Sequence, residues 1–203
     1  MYRKTLRRTL LAAFLLVLVA AGLRAAGPAP LRRDADLLKQ KLTAISERGA
    51  QPKRQPARTT LTEREVNAYL AFETADDLPA GVVDPSVSLL GSSRVMGRAV
   101  VDLDKVRQQR NPTSLLDPVR YLRGKLQVSA TGVLRATNGV ATVDVEAADV
   151  AGVPIPTFLL QEIVGYYSRS PERPAGISLD DRFQLPAGIR EIQLERGQAI
   201  VVQ

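Results

Sequence analysis

Chemistry in this chain would have to run on carboxylates. There is no Cys and no His, which removes thiol nucleophiles, disulfides, Ser-His-Asp triads and the usual zinc sites together. Asp102 and Asp104 are separated by one residue, as are Asp144 and Glu146. On a strand each pair would share one face. Glycoside hydrolysis uses two carboxyls about 5–9 Å apart across the scissile bond. The wet face of an antiparallel sheet gives the same alternation without chemistry, and that is the reading adopted for both pairs. Asp180-Asp181 has no surrounding ligand loop for Ca²⁺ and reads as a local turn. Ser92, Ser93, Ser129 and Ser168 have no His partner, and there is no Ser-x-x-Lys motif. Gly152-Val153-Pro154 lacks the glycine spacing and the Lys of a phosphate loop. No metal ligand set, cofactor motif or catalytic residue is assigned, and the chain is expected not to be an enzyme.

Charge narrows the partners. The formal net charge is +7, a balance that can signal nucleic acid. Residues 1–60 hold 13 Lys/Arg against 3 Asp/Glu, and residues 61–203 hold 15 against 18. The cationic excess therefore lies outside the expected domain, whereas a phosphate-tracking groove needs clustered cations on the domain itself. Nucleic acid is excluded as the expected partner.

Arg3, Lys4, Arg7 and Arg8 precede an apolar run of 14 residues, Leu10 to Leu23. As a helix it would span about 21 Å, short of the roughly 30 Å hydrocarbon core and within the range of a signal-peptide core. Val19-Ala20-Ala21-Gly22 offers small residues for cleavage after Ala21 or Gly22. The alternative is an uncleaved anchor with its basic flank held inside. Either way, residues 1–23 direct export to the periplasm or the outer face of the cytoplasmic membrane. Arg7-Arg8 leaves the twin-arginine route open beside the general one.

The elements that follow must position any site. Residues 24–60 read as a spacer. Gly27-Pro28-Ala29-Pro30 breaks helix, and Leu31 to Arg48 forms a helix with Leu37, Leu38, Lys41, Leu42 and Ile45 on one stripe. Residues 49–60 are Gln-, Pro- and Arg-rich and read as a linker. The domain, residues 61–203, opens with Thr62-Glu63-Arg64-Glu65, a capping box. Its helix carries Val66, Tyr69 and Leu70 on one face. Asn67 within it is either a tolerated exposed residue or a buried amide that ties the helix to a strand.

From Val82 the period becomes two. Gly91-Ser92-Ser93 is a turn, and Val95 to Leu103 is a strand with Gly97 as a candidate bulge. Thr113 to Leu122 is a candidate short helix, against which Pro118 argues. Asn138-Gly139 marks a two-residue hairpin. On its return strand Val143, Val145 and Ala147 face in, and Thr142, Asp144 and Glu146 face out. Thr157 is expected to cap a helix to Ser168 that is apolar nearly all round. Such a helix is either engulfed by protein or faces something greasy. Tyr166-Tyr167 within it suits a core, a sugar or a lipid interface. A last hairpin turns at Arg196-Gly197. The expected fold class is α+β: a curved antiparallel sheet packed around or against helices, after an N-terminal signal or anchor helix.

Together, Leu61-Thr62-Glu63-Arg64-Glu65-Val66-Asn67-Ala68-Tyr69-Leu70, Gly152-Val153-Pro154-Ile155-Pro156 before an apolar helix, and Phe183-Gln184-Leu185-Pro186-Ala187-Gly188-Ile189 before the final hairpin resemble exported bacterial lipid-binding proteins of the LmeA type. These are similar to the tubular lipid-binding (TULIP) superfamily. The resemblance covers about residues 60–203. It implies a strongly bent sheet around a helix, leaving a short apolar groove for acyl chains, and it transfers no defined binding residues. The groove candidates read here are Val66, Leu70, Phe158, Leu159, Ile163 and Tyr166. The expected function is an exported, non-catalytic envelope protein that binds or carries lipid, with lipid or a membrane surface as partner. The alternative is a membrane-tethered assembly protein whose apolar helix docks an envelope protein partner. The sequence assigns no oligomeric state.

Overall fold

A computed structural model describes residues 29–51, 55–79, 81–110, 123–169 and 174–203. The leader at 1–23 and the candidate helix Thr113 to Leu122 lie outside the described residues. Among the described residues the chain is α+β, with four helices and two antiparallel sheets.

In chain order the elements are α1 (Arg32–Gly49), β1 (Arg58–Thr62), α2 (Glu63–Glu73), β2 (Val82–Gly91), β3 (Arg94–Asp102), α3 (Leu103–Arg110), β4 (Lys125–Thr137), β5 (Val140–Val150), β6 (Val153–Pro154), α4 (Thr157–Tyr167), β7 (Phe183–Gln184), β8 (Glu191–Glu195) and β9 (Gln198–Val202). The larger sheet runs β2-β3-β4-β5-β6, with β7 also pairing with β5. The smaller runs β1-β9-β8.

Neither sheet is strongly curled, which corrects the single bent sheet inferred above. The last hairpin leaves the main sheet because β1 gives it a partner, with Thr60 opposite Ile200 and Leu61 opposite Ala199. That strand lay hidden in the linker reading: Pro56 and Arg58 dominate the composition, while Thr59-Thr60-Leu61 supplies β-branched and apolar pairing residues.

Local chemistry explains most of the elements. The Thr62 hydroxyl accepts from the Glu65 N–H at 3.3 Å, and the Glu65 carboxylate accepts from the Thr62 N–H at 2.9 Å, completing the capping box. Asn138 and Gly139 have φ of 53° and 78°, the left-handed pair that a two-residue hairpin matching strand twist requires. At the other end, β3 stops at Asp102, one residue earlier than expected. The Asp102 carboxylate accepts from the amides of Asp104 and Lys105 at 3.1 and 3.2 Å and so caps α3.

The sheet is irregular where alternation predicted regularity. Gly97 is no bulge: it pairs in register with Val87 and Ala130. Register shifts lie instead in β2, between Val83 and Ser86 and between Leu89 and Gly91, and in β5, where Thr131 faces Ala147 and Gly132 faces Val145, leaving Glu146 unopposed. An extra residue flips every later side chain to the opposite face. Ala148 is therefore buried and Ala147 is exposed, the reverse of the inward Ala147 expected.

The core sits between the two sheets and the helices. Leu38 of α1 joins Val66, Tyr69 and Leu70 of α2, Val87, Leu89, Val95 and Val143 of the large sheet, and Leu194 and Ala199 of the small one. Ile45 packs with Ile189 and Val201. The helix inside the expected spacer thus lends buried side chains to the fold. Ion pairs line its contact with α2: Asp34 to Arg64 at 2.9 Å, Lys41 to Glu65 at 2.7 Å, and Arg32 and Lys39 to Glu73 at 2.6 and 2.7 Å.

Candidate functional site

The surface that differs most from an ordinary polar exterior is built by β6 and α4. The turn at Ala151-Gly152 uses φ of 53° and 80° and delivers Val153 to the sheet rim opposite Val150. Pro154 and Pro156 then halt strand pairing, since neither can donate a ladder hydrogen bond. Pro156 stands at the N-cap of α4, and the cap has no side-chain hydrogen bond. Thr157 is the first helical residue rather than the cap expected from sequence.

One stripe of α4 faces the sheet. Leu160 is buried with Ala130, Ala148 and Leu179, and Val164, one turn on, packs against the same cluster. A strap whose Leu179 joins the same cluster fixes the helix. The Gln161 carbonyl accepts from the Leu179 N–H at 2.7 Å, and the Ser168 hydroxyl accepts from the Ile177 N–H at 2.6 Å. The strap comes so close that a Cβ on Gly176 would lie 1.9 Å from the Gly165 carbonyl oxygen. Only glycine fits there.

The opposite stripe is open and apolar except for Glu162. Phe158 is 73% exposed, Leu159 43% and Ile163 38%, and Val153 on the strand that precedes the helix is 65% exposed. Glu162 is the exposed acid of this helix. Single exposed apolar residues are ordinary, but several large ones on one short helix and its adjoining rim form a patch. No helix among the described residues is long and apolar enough to cross a membrane.

The groove candidates fall into separate places. Val66 and Leu70 are 5% and 3% exposed, in the core beneath Leu38. Phe158, Leu159 and Ile163 point away from the cluster that α4 makes with the sheet. Tyr166 belongs to α4, but its side chain, like that of Tyr167, lies outside the described residues. The structure therefore does not bring Val66 and Leu70 together with the α4 residues in one groove. A shallow polar depression on α1, lined by Asp36, Lys39, Gln40, Thr43, Ala44 and Glu47, is unrelated to either set. Val153 and the Gln161 clamp escaped the sequence reading. The Gly-Val-Pro-Ile-Pro run announces the apolar helix after it, but exposure of Val153 depends on the tertiary neighbours it lacks.

The carboxylates take structural roles. Asp104 pairs with Arg107 at 2.8 Å and accepts from the Gly124 N–H, so it is not on a strand beside Asp102. Asp144 pairs with Arg135 across the β4–β5 ladder, and Glu146 pairs with Arg94 at 2.8 Å. The hydrogen bond from Arg94 holds the Glu146 carboxyl below its ordinary pKa and raises that of Arg94. Both acids point outward, as a solvated sheet face implies. Asp181 accepts from the Ser178 N–H at 3.0 Å in a local turn. Ser129 is fully buried and donates to the Asp149 carboxylate at 2.7 Å, a strand-to-strand tie that spacing does not reveal. Among the described residues no cluster of acids could hold a metal ion.

No family model, curated protein or solved structure matches this chain.

Proposed function

We propose that this protein is an exported, non-enzymatic module of the cell envelope that contacts lipid acyl chains through the open face of α4. The observation that carries the reading is the exposure of Phe158, Leu159 and Ile163 on a helix anchored from behind, with Val153 exposed on the short strand that precedes it. Moving such side chains out of water is worth about 1.5–3 kcal/mol each, before the cost of association. An amphipathic helix of this kind lies in the membrane interface rather than across it. The leader, with its basic flank and short apolar core, supports export. The resemblance to LmeA-type proteins points to the same ligand class.

The contact is an open surface rather than a closed tube. With neither sheet strongly curled, acyl chains would be met at the helix face and not enclosed along Val66 and Leu70.

Flotation of the purified chain with phosphatidylcholine vesicles tests this, with mass spectrometry of co-purified lipid beside it. The expected result is flotation that Phe158→Asp abolishes. A chain that neither floats nor carries lipid overturns the proposal. If a photo-reactive residue at position 158 instead captures one constant envelope protein in cells, with no flotation, the face docks a protein.

A further inference from the structure

The open stripe of α4 carries an acid among its apolar side chains. Phe158 lies four residues before Glu162 and Leu159 three residues before it, so both border Glu162 on the helix surface. Glu162 is exposed and is the sole charged residue of α4. Among the described residues it has no hydrogen bond or ion pair. The elements packed on the helix do not supply one. β4 and β5 reach α4 through Ala130, Val145 and Ala148. The strap reaches it through Gly176, Ile177 and Leu179. Asp180, Asp181 and Arg182 follow Leu179, and Asp181 accepts from the Ser178 N–H. Arg169 lies just past the C-cap of the helix. None of these four charged residues pairs with Glu162.

We infer that Glu162 determines when this face binds: α4 enters the lipid interface with Glu162 as the neutral acid, so the contact tightens as pH falls. This rests on the acyl contact proposed above for Phe158, Leu159 and Ile163. Seating those side chains in the interface carries Glu162 along, because Phe158 and Leu159 flank it on the same face. A carboxylate loses more hydration on that transfer than the neutral acid does, and no cation of the helix offsets the loss. The proton comes from solvent. The bound chain then holds more protons than the free one, so acid favours binding.

The test is flotation of the full chain with pure phosphatidylcholine vesicles, which carry no net charge to respond to pH. The unaltered chain should bind about tenfold more tightly near pH 5 than near pH 7.5. Glu162→Gln, which keeps the shape and removes the charge, should bind near pH 7.5 at least as tightly as the unaltered chain binds near pH 5, and should change by under about twofold between the two. That comparison reads the variant where acid cannot alter the fold. Glu162→Asp keeps the acid and should keep the pH dependence. Flotation of the unaltered chain that ignores pH, or a Glu162→Gln variant with the same pH dependence, overturns the inference while leaving the α4 contact standing. Failure of both the unaltered chain and Glu162→Gln to float at either pH overturns the α4 contact itself.

Discussion

Asn67 of α2 and Val87 of β2 are joined by two hydrogen bonds: the Asn67 amide donates to the Val87 carbonyl at 2.8 Å and its oxygen accepts from the Val87 N–H at 2.6 Å. A side-chain amide here stands in for a neighbouring strand. β2 is the edge of the large sheet, and an edge must have its backbone groups covered or watered. Glu63 continues the cover by accepting from the Leu89 N–H at 2.6 Å.

Asn67→Ala should therefore cost about 2–4 kcal/mol, because both Val87 backbone groups lose their partners beneath the helix. Urea denaturation measures it. A loss below ~0.5 kcal/mol, the usual scale of a surface change, would show that water replaces the amide freely.

The two stripes of α4 should separate binding from stability. Phe158→Ser removes an exposed ring and should abolish vesicle binding with under ~0.5 kcal/mol change in folding. Leu160→Ala opens a cavity against Ala130 and Leu179 and should cost about 2–5 kcal/mol. Flotation and denaturation midpoints on both variants check the pattern. Equal flotation by Phe158→Ser and the unaltered chain would remove the helix face from function.

Glu65 should confer pH dependence. Burial pushes its carboxyl up, but the Lys41 ammonium and the Thr62 amide and hydroxyl outweigh this and hold it below its unfolded value of 4.5. A depressed carboxylate stabilises the fold fully above the unfolded value, and the contribution is lost as pH falls through the folded one. Glu65→Gln should be less stable at pH 7 and lose less stability on acidification from pH 7. Denaturation midpoints across that range give the two slopes, and parallel curves would refute the assignment.

Asp144→Asn and Glu146→Gln break exposed pairs with Arg135 and Arg94. Neither should shift the denaturation midpoint appreciably, since exposed pairs are screened by solvent, and both should leave vesicle binding intact. Loss of cellular function by either variant, with folding preserved, would argue for carboxylate chemistry instead.

Much of the architecture was legible where the signal is local. Thr62 and Glu65 announce a helix start because a capping box is complete within four residues. Asn138-Gly139 announces a hairpin because few other pairs tolerate two left-handed residues in a row. Asn67 was legible only as an anomaly, an ill-suited residue in a helix, since its partner lies 20 positions away. The bulge at Glu146 was not legible, because alternation continues unbroken in type through Val145 and Ala147 while the pairing register shifts beneath it. The site was half legible. Helical periodicity identifies α4 as apolar, yet nothing in it says which stripe the sheet covers; Leu160 and Val164 are as greasy as Leu159 and Ile163.

The small sheet is a clasp between distant parts of the chain. Among the described residues β1 finds its ladder partner only in β9, and the Gln203 amide donates to the Ile45 carbonyl across 158 positions. Such a closure carries a loop-entropy cost that a local hairpin does not, because the loop it seals contains the whole large sheet. The Asn138-Gly139 hairpin can zip locally while α1 and β1 still wait for their partners. During that interval the apolar stripe of α1 is uncovered, and a chaperone that shields greasy segments would find its target there.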